Sequence, residues 1–481
     1  MDVRRASSAV ARFPGLIAVP ALWVALRIAY GPGYAHYDAL YELIWGRDLI
    51  HGHLPPDFAD TLSPTEHPLA NVIAGPISLL HFGALRVLDV LSLLFFALLG
   101  WLAFRLGRTL LNTPAGVLFA ALLLTCPPLV MQMLMASIDI PFLVLIMWAM
   151  VLEAERPRRG GPVFFVLFLC GLLRPEAWLL GAAYWLYLSG VSPGLDTRAR
   201  VRYASVVLAA PVLWVLFDVA AAGDPVISLT GTQRVGRATG QPHSLGAAIT
   251  HGPHTLASIL GTGISVLGIA GAITALILIR RRAALPLTLL ALGLLGFLAL
   301  GAVGLPVIPR YAFVPSLMVA LFCAYAVFGW LELEPGRARQ AWMIGAPLLL
   351  IALIATNIRY YTKQLPRLRT QSAQIAADDG RLNQLLGEPG VRALIAACQP
   401  LQIRDFRSKP LAAYLIGGHA RNYVQLTVHQ APAPGAYIEE QSQPGEFSNR
   451  GEAPLPPGFR LIRAVPHFTL YAECAAAAGR A

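Results

Sequence analysis

The sequence predicts a mainly α-helical protein that crosses a membrane many times and ends in a small α/β domain. Of its 481 residues, 56% are hydrophobic and 13% are charged, with a mean hydropathy of +0.60, which excludes an ordinary soluble domain and a disordered chain. Apolar runs alternate with short arginine clusters, and runs of about 20 residues are long enough to cross a bilayer core. After residue 358 the pattern changes to polar helix and short strands. We therefore predict a transmembrane domain at 1–358 and a soluble domain at 359–481.

The arginine clusters predict how the chain is oriented. Arg4, Arg5 and Arg12 precede the first apolar run, so the positive-inside rule places the N-terminus in the cytoplasm and the following loop outside. Later clusters fall on the same inner side if the chain makes about eleven crossings or near-crossings, which places the C-terminal domain outside the cytoplasm. These clusters also explain the formal net charge of +11 without a basic face for nucleic acid.

The first outer loop, residues 31–82, concentrates acidic residues in a chain that is poor in acid. Asp38 precedes a run with apolar residues at helical spacing, which predicts a short amphipathic helix on the membrane surface, and the segment 68–82 is predicted to be interfacial as well. An aspartate at this position is a good N-cap. A carboxylate at the boundary of water and lipid could also act as a general base, and the two roles are compatible.

Other charged residues lie at span ends or breaks. Asp139 heads the fourth span, where it either caps the helix or orients an acceptor or a cation beside Asp38. Arg174 and Glu176 interrupt the apolar segment 163–188, which predicts two short helices meeting in a protein-lined pocket. Arg174 there forms either a structural ion pair with Glu176 or a contact with an anionic phosphate.

Arg310 and His67 have patterns that fit two roles each. Arg310, followed by Tyr311 at the outer end of a span, is either an interfacial anchor or a second phosphate contact. His67 could hydrogen-bond a phosphate or a sugar, or be an ordinary surface residue. The sequence gives less reason to assign a role to the neighbouring Glu66. No His or Cys cluster has zinc spacing. Asp38 and Asp139 are thus the candidate ligands of a divalent cation (Mg²⁺ or Mn²⁺), although two acids alone do not make a metal site.

Two of the five cysteines, Cys398 and Cys474, lie in the C-terminal domain, and the other three lie in apolar runs. In an oxidising compartment such a pair predicts a disulfide. The alternative is two unpaired buried thiols.

The ordered set of motifs resembles the GT-C superfamily of membrane glycosyltransferases over roughly residues 10–330. It is similar to the bacterial branch that includes protein O-mannosyltransferases and the aminoarabinose transferase of lipid A, and residues 171–178 resemble uncharacterised, actinobacterial members. Such families often have a Lys-Pro-Pro-Leu run where this chain has Glu66-His67-Pro68-Leu69. The matching motifs are Tyr37-Asp38, His67-Pro68-Leu69 and Asp139-Ile140-Pro141.

The resemblance implies an inverting transferase in a bacterial plasma membrane. It would move a sugar from a polyprenyl-phosphate donor to a glycan, lipid or protein acceptor of the cell envelope. The family's first-loop acid, its catalytic base, maps to Asp38, and the second-loop acid maps to Asp139. The residues expected to contact the donor phosphate or to support the site are Arg174, Arg310, His67, Glu176, Tyr37, Tyr311 and Glu66.

Two other functions stay open at this point. A transporter or flippase for a lipid-linked or anionic solute would place several ionisable groups well inside long spans, whereas most charges here lie at span ends. A non-catalytic, sugar-binding scaffold protein is not excluded by the sequence.

Overall fold

The computed structural model describes residues 14–55, 63–191, 195–427, 429–440 and 453–478. The membrane part contains fifteen described helices, and a 3₁₀ turn at Pro309–Ala312 precedes the last of them. Their bounds are α1 Gly15–Tyr30, α2 Tyr37–Ile50, α3 Pro68–Ser78, α4 Gly83–Leu110, α5 Thr113–Leu124, α6 Pro127–Leu134, α7 Asp139–Glu155, α8 Gly161–Gly171, α9 Glu176–Val191, α10 Thr197–Ala222, α11 Ile227–Ala238, α12 Leu245–Leu260, α13 Thr262–Leu278, α14 Arg280–Ala302 and α15 Phe313–Phe328.

Five described helical segments are long and apolar enough to cross a membrane, and the number rises to seven if each of two bent pairs counts as one span. The bent pairs are α5–α6, with an angle of 58°, and α12–α13, with an angle of 107°. This count is lower than the predicted one because several predicted crossings form helices shorter than 18 residues, such as α1 with 16 and α8 with 11. The predicted break near Arg174 separates α8 from α9.

The segment Pro309–Glu332, which includes α15, lies at the centre of the membrane part. An apolar 18-residue window within it is 94% buried, whereas the corresponding window of α10 is only 17% buried. α15 packs against α13, α5 and α14. The peripheral helices therefore present apolar side chains to lipid, and the central segment carries Arg310 at its N-terminal end.

The C-terminal part begins with one long helix, α16 Arg337–Gly387, which spans 51 residues. Residue 358, where the sequence places the domain boundary, lies inside this helix. The later elements are α17 Pro389–Ala397, β1 Leu401–Ile403, α18 Ser408–Ile416, β2 Tyr423–Gln425, β3 Gly435–Glu440, β4 Arg460–Val465, β5 Phe468–Glu473 and α19 Ala475–Ala478.

The five strands form one mixed sheet in the order β2-β1-β3-β5-β4. β1 pairs in parallel with β2 and β3, whereas β5 pairs antiparallel with β3 and β4. Cys398 is joined to Cys474 by a disulfide, which is the pair that the sequence predicts. The bridge ties the end of α17 to the end of β5.

The helix α2 does not lie on a membrane surface as the amphipathic pattern predicts. Leu40, Leu43 and Ile44 are fully buried, and so are the intervening Tyr41 and the following Trp45. These residues belong to the same apolar core as the C-terminal sheet. The expectation of a helix along the membrane surface was wrong because the C-terminal domain, and not lipid, covers the apolar face of α2.

Close packing fixes α2 on its other side. Gly46 faces Gly75 of α3, and a Cβ atom added to Gly46 would lie 2.5 Å from the backbone nitrogen of Gly75. Any larger residue would push the two helices apart. α2 is thus held between α3 and the C-terminal domain, with its first turn at the edge of the membrane part.

We expect loss of the disulfide to destabilise the C-terminal domain. The two cysteines are 76 residues apart, and removal of a native disulfide typically costs about 2–5 kcal/mol. Cys398→Ser combined with Cys474→Ser should lower the melting temperature of the purified protein. Reductant should lower the melting temperature of the wild type in the same way and leave that of the double variant unchanged. Equal melting of oxidised wild type and variant would contradict a stabilising bridge.

Candidate functional site

Four segments that are far apart in the sequence bring their charged side chains together at the end of the membrane part that meets the C-terminal domain. Arg310 Nη1 lies 3.0 Å from Asp38 Oδ2, and Arg310 Nε lies 3.1 Å from Asp139 Oδ2. Arg174 forms ion pairs with Asp139 and with Glu176. One connected network therefore contains five of the residues that the sequence singles out.

Asp38 is the second residue of α2, not its N-cap. The N-cap is His36, whose backbone is extended and whose side chain makes no capping hydrogen bond. The segment before the helix is fixed by backbone hydrogen bonds, because the Tyr34 and His36 amides donate to the carbonyls of Leu134 and Met135 over 2.7 and 3.1 Å. These bonds hold Asp38 beside Arg310 at the positive end of the helix dipole.

The ion pair keeps Asp38 in its charged form. Burial acts to raise the pKa of this carboxyl, but the Arg310 charge, together with His36 and His67, outweighs burial and lowers the pKa below its ordinary value. The Asp38 side chain is still 22% exposed. The ionised carboxylate of Asp38 is therefore accessible to solvent.

Asp139 is fully buried and is the first residue of α7. It does not stand at the N-cap, which is Ile138. Ser137 Oγ donates to Asp139 Oδ2 over 3.0 Å, and the remaining contacts are the two arginines. A buried carboxylate needs such compensation, so Asp139 is the anchor on which Arg174 and Arg310 converge.

Arg174 and Arg310 differ in how far a ligand could reach them. Arg174 is 4% exposed, and its guanidinium lies 5.3 Å from the Phe142 ring centre and 5.0 Å from that of Tyr311. Its Nη2 also donates to Glu176 Oε1 over 2.7 Å. The Arg310 side chain is 26% exposed. Arg310 is thus the more accessible of the two positive charges.

The sequence did not single out Glu42, which the structure places beside the site. Glu42 follows Asp38 by four residues and so lies on the same face of α2. Its Oε1 is 3.0 Å from His67 Nδ1, and both side chains are 9% exposed. The spacing of four residues between the two acids is the signal that could have identified it.

Glu66 and Tyr37 lie outside the ion-pair network. Glu66 is fully buried and accepts a hydrogen bond of 2.7 Å from Asn71 Nδ2. Burial and the nearby Asp218 raise the pKa of Glu66 well above its ordinary value. The Tyr37 ring stacks on Phe406 of the C-terminal domain, with 3.7 Å between ring centres and 16° between planes. Tyr37 therefore links the first outer loop to the C-terminal domain.

The C-terminal domain also holds the segment that leads into Asp38. Arg407 Nε donates to the carbonyl of Ala35 over 2.9 Å, and Arg407 Nη2 lies 2.7 Å from Asp379 Oδ2 of α16. On the opposite end of α2, Arg47 Nη2 donates to the carbonyl of Gly418 over 2.7 Å. These bonds attach the domain at both ends of α2.

Neither a protein-family model nor a curated protein sequence matches the chain. Solved structures do match. The Archaeoglobus fulgidus oligosaccharyltransferase AglB, tethered to an acceptor peptide with an NVT sequon, is 11% identical, and the match covers 90% of this chain and 70% of that chain with a TM-score of 0.52. The chain has the GT-C fold. The mainly helical GT-C architecture predicted from the sequence is thereby confirmed.

Two further GT-C structures resemble the chain. AglB in complex with an inhibitory peptide and a dolichol-phosphate is 11% identical, with coverage of 85% and 64% and a TM-score of 0.51. ArnT from Cupriavidus metallidurans bound to undecaprenyl phosphate is 10% identical, with coverage of 98% and 99% and a TM-score of 0.49. The branch of the superfamily stays a prediction.

The two candidate metal ligands do not fit a divalent cation in this arrangement. Another AglB structure is a complex with Zn and sulfate. Here, Asp38 and Asp139 both contact Arg310, and Asp139 also pairs with Arg174. A cation placed between the acids would meet two guanidinium charges. Within the described part of the chain, no group of three His, Cys, Asp or Glu side chains lies close enough to hold a metal ion.

We expect Glu66→Gln to make stability less sensitive to pH. The folded protein holds the Glu66 proton to a higher pH than the unfolded chain does, so stability is lost as pH rises from about 4.3 through the raised pKa. The amide of glutamine keeps the shape without that proton. Thermal unfolding across pH should show a smaller loss for Glu66→Gln than for the wild type or for the exposed control Glu334→Gln. Identical slopes would contradict a raised pKa of Glu66 in the folded protein.

Proposed function

We propose that this protein is an inverting glycosyltransferase that moves a sugar from a polyprenyl-phosphate donor to an acceptor of the cell envelope. The observation that carries the proposal is the position of Arg310, which contacts both the accessible Asp38 carboxylate and the buried Asp139. A base and a phosphate-binding cation thus stand side by side at the outer end of the central span. The shared GT-C fold supports the same reading, since AglB has been solved with an acceptor peptide and with a dolichol-phosphate.

The reaction is a single displacement. The acceptor hydroxyl oxygen forms a bond to the anomeric carbon of the sugar while Asp38 takes the hydroxyl proton. The bond from that carbon to the phosphate oxygen breaks, and its electron pair leaves with the polyprenyl phosphate. Because its lowered pKa keeps Asp38 ionised at neutral pH, the base is ready before the acceptor arrives. Attack opposite the leaving group inverts the anomeric centre.

Arg310 takes the role of the phosphate contact in this mechanism. Charge builds up on the phosphate as the bond breaks, so a guanidinium fixed beside it stabilises the transition state more than the ground state. Arg310 is accessible, whereas Arg174 is enclosed by Phe142, Tyr311 and its two acidic partners. Arg174 would then hold Asp139 in place, and Asp139 would in turn orient Arg310.

The proposed reaction side is extracytoplasmic. The helical apolar segments make the protein a multi-pass membrane protein, and the arginine clusters support a cytoplasmic N-terminus in a bacterial plasma membrane. The site and the C-terminal domain share one side, because α2 is part of the core of that domain. A lipid-linked donor would therefore meet its acceptor under the C-terminal domain at the outer membrane surface.

We expect Asp38→Asn to lower transfer by about 10²–10⁴-fold, the usual contribution of a general base. The measurement is release of polyprenyl phosphate from a panel of synthetic polyprenyl-phosphate sugars by purified protein with varied acceptors. Asp224→Asn, an aspartate of the loop between α10 and α11, serves as the matched control and should turn over like the wild type.

Donor binding separates the outcomes of this assay. Binding that survives in Asp38→Asn while release is lost supports Asp38 as the base. Binding to wild type without release, whatever the acceptor, favours a non-catalytic scaffold protein. Transport of a lipid-linked or anionic solute with no donor cleavage favours a transporter or flippase, and either result overturns the proposed function.

The orientation can be tested with single cysteines at exposed positions. A membrane-impermeant maleimide should label Asn422→Cys, in the C-terminal domain, on intact cells. It should label Glu334→Cys, before α16, only after the membrane is permeabilised. The native free cysteines Cys126, Cys170 and Cys323 are buried, so the wild type is the background control. The reverse labelling pattern would contradict the proposed topology.

A further inference from the structure

Glu42 and His67 form a buried pair next to the ion-pair network. His67 directly precedes α3 and its ring meets that of Trp214 edge-on, with ring centres 6.3 Å apart and planes at 87°. Its Nδ1 lies 3.0 Å from Glu42 Oε1, and each side chain is 9% exposed. The contact involves Nδ1 alone, and no hydrogen bond from Nε2 to the described residues is found. The network of Asp38, Arg310 and Arg174 does not account for this pair.

The chemistry of the pair depends on where its protons lie. Burial lowers the pKa of His67 to about 3, a change that Asp38 opposes and Arg310 and Arg174 reinforce. Burial and the charge of Asp38 raise the pKa of Glu42 well above its ordinary value, although Arg310 opposes them. His67 is therefore neutral at neutral pH, and burial beside the Asp38 carboxylate favours the protonated form of the Glu42 carboxyl. A protonated carboxyl beside a neutral imidazole donates to Nδ1, which places the ring proton on Nε2.

We propose that Glu42 is a positioning residue that holds His67 as the neutral tautomer with its proton on Nε2, so that Nε2–H donates a hydrogen bond to an oxygen of the donor phosphate. This inference rests on the proposed function. Arg310 supplies the positive charge for that phosphate, and His67 supplies a directed neutral donor. The orientation of the imidazole is set by Glu42 on one side and by Trp214 on the other.

The arrangement has a definite dependence on pH. The charged groups that act on the pair are Asp38 on α2, Arg310 at the start of the central span and Arg174 in the break, and the titratable Glu66 lies beside His67. When Glu42 loses its proton, its carboxylate accepts a hydrogen bond from Nδ1–H. The unprotonated Nε2 then presents a lone pair to the phosphate oxygen, and these two electron-rich atoms repel each other. Turnover should therefore fall at high pH as Glu42 ionises.

Two substitutions separate positioning from folding. Glu42→Gln keeps a donor, because its amide N–H can bind Nδ1 and preserve the tautomer, but it cannot ionise. Glu42→Leu keeps the bulk and removes the donor. We expect Glu42→Gln to retain a transfer rate within about threefold of wild type and to lose the decrease in turnover at high pH. We expect Glu42→Leu to lower kcat by roughly tenfold to a hundredfold, with less change in KM. Glu334→Gln is the control.

The tautomer is measured independently of activity. Protein labelled with ¹⁵N-histidine in lipid nanodiscs, with His67 assigned by comparison with His67→Asn, should show the Nε2-protonated ring in the wild type and in Glu42→Gln. In Glu42→Leu we expect a mixture of tautomers. A single Nδ1-protonated or cationic ring in the wild type overturns the proposal, and so does wild-type kcat in Glu42→Leu.

The two measurements distinguish the failure of each proposal. If the protein releases no polyprenyl phosphate from any donor but His67 shows the expected tautomers, the proposed function fails and the inferred phosphate contact fails with it. If transfer occurs and Glu42→Gln keeps the decrease at high pH, the transferase stands and the role of Glu42 is overturned.

Discussion

The site depends on one guanidinium that joins the first outer loop to the membrane part. Arg310 reaches Asp38 across a separation of 272 residues and also contacts Asp139. A buried carboxylate without a partner would destabilise the fold by several kcal/mol, so the two acids and the two arginines require each other. The need to pair these charges therefore holds the first outer loop, the break after α8 and the central span close together. The proposed chemistry uses the same contact, because Arg310, which neutralises the two acids, is also the arginine that a phosphate could reach.

The C-terminal domain is part of this arrangement and not an independent module. It buries the apolar face of α2, and it holds the approach to Asp38 through the bond from Arg407 to the Ala35 carbonyl. Phe406 adds a stacked ring on Tyr37, the residue that precedes Asp38. Asp38 is thus held by the C-terminal domain on one side and by the membrane part on another. Such support on several sides limits the freedom of the side chain, as the proposed role of a base that meets an acceptor in one geometry requires.

Local sequence patterns predicted the features that depend on local physics. The membrane class follows from apolar run lengths, and the break at Arg174 follows from charges that lipid does not tolerate. The pairing of Cys398 with Cys474 follows from the oxidising compartment that the sequence predicts for the C-terminal domain and from the small number of cysteines there. Asp38 and Asp139 were singled out as acids that precede apolar helices in a chain poor in acid, and Arg174 and Arg310 as charges at the break or the end of an apolar span.

The remaining features depend on contacts between distant residues. Nothing near α2 in the sequence indicates that the helix α18, more than 350 residues later, would pack against it, so the amphipathic pattern alone suggested a surface helix. The pairing of Glu42 with His67 arises from the packing of α2 against α3, which no single motif encodes. The length of each helix is another such feature, because several predicted crossings form helices shorter than 18 residues.

The long helix α16 has a consequence for how this protein can change over time. It continues without interruption from the membrane into the soluble domain over 51 residues, and each residue of an α-helix turns the chain by about 100° and advances it by about 1.5 Å. A single inserted residue between the span and the sheet would rotate Phe406 and Arg407 away from the segment they hold. Length changes in this helix should therefore be tolerated only in steps near whole turns, because other changes alter the rotation of the C-terminal domain about the helix axis.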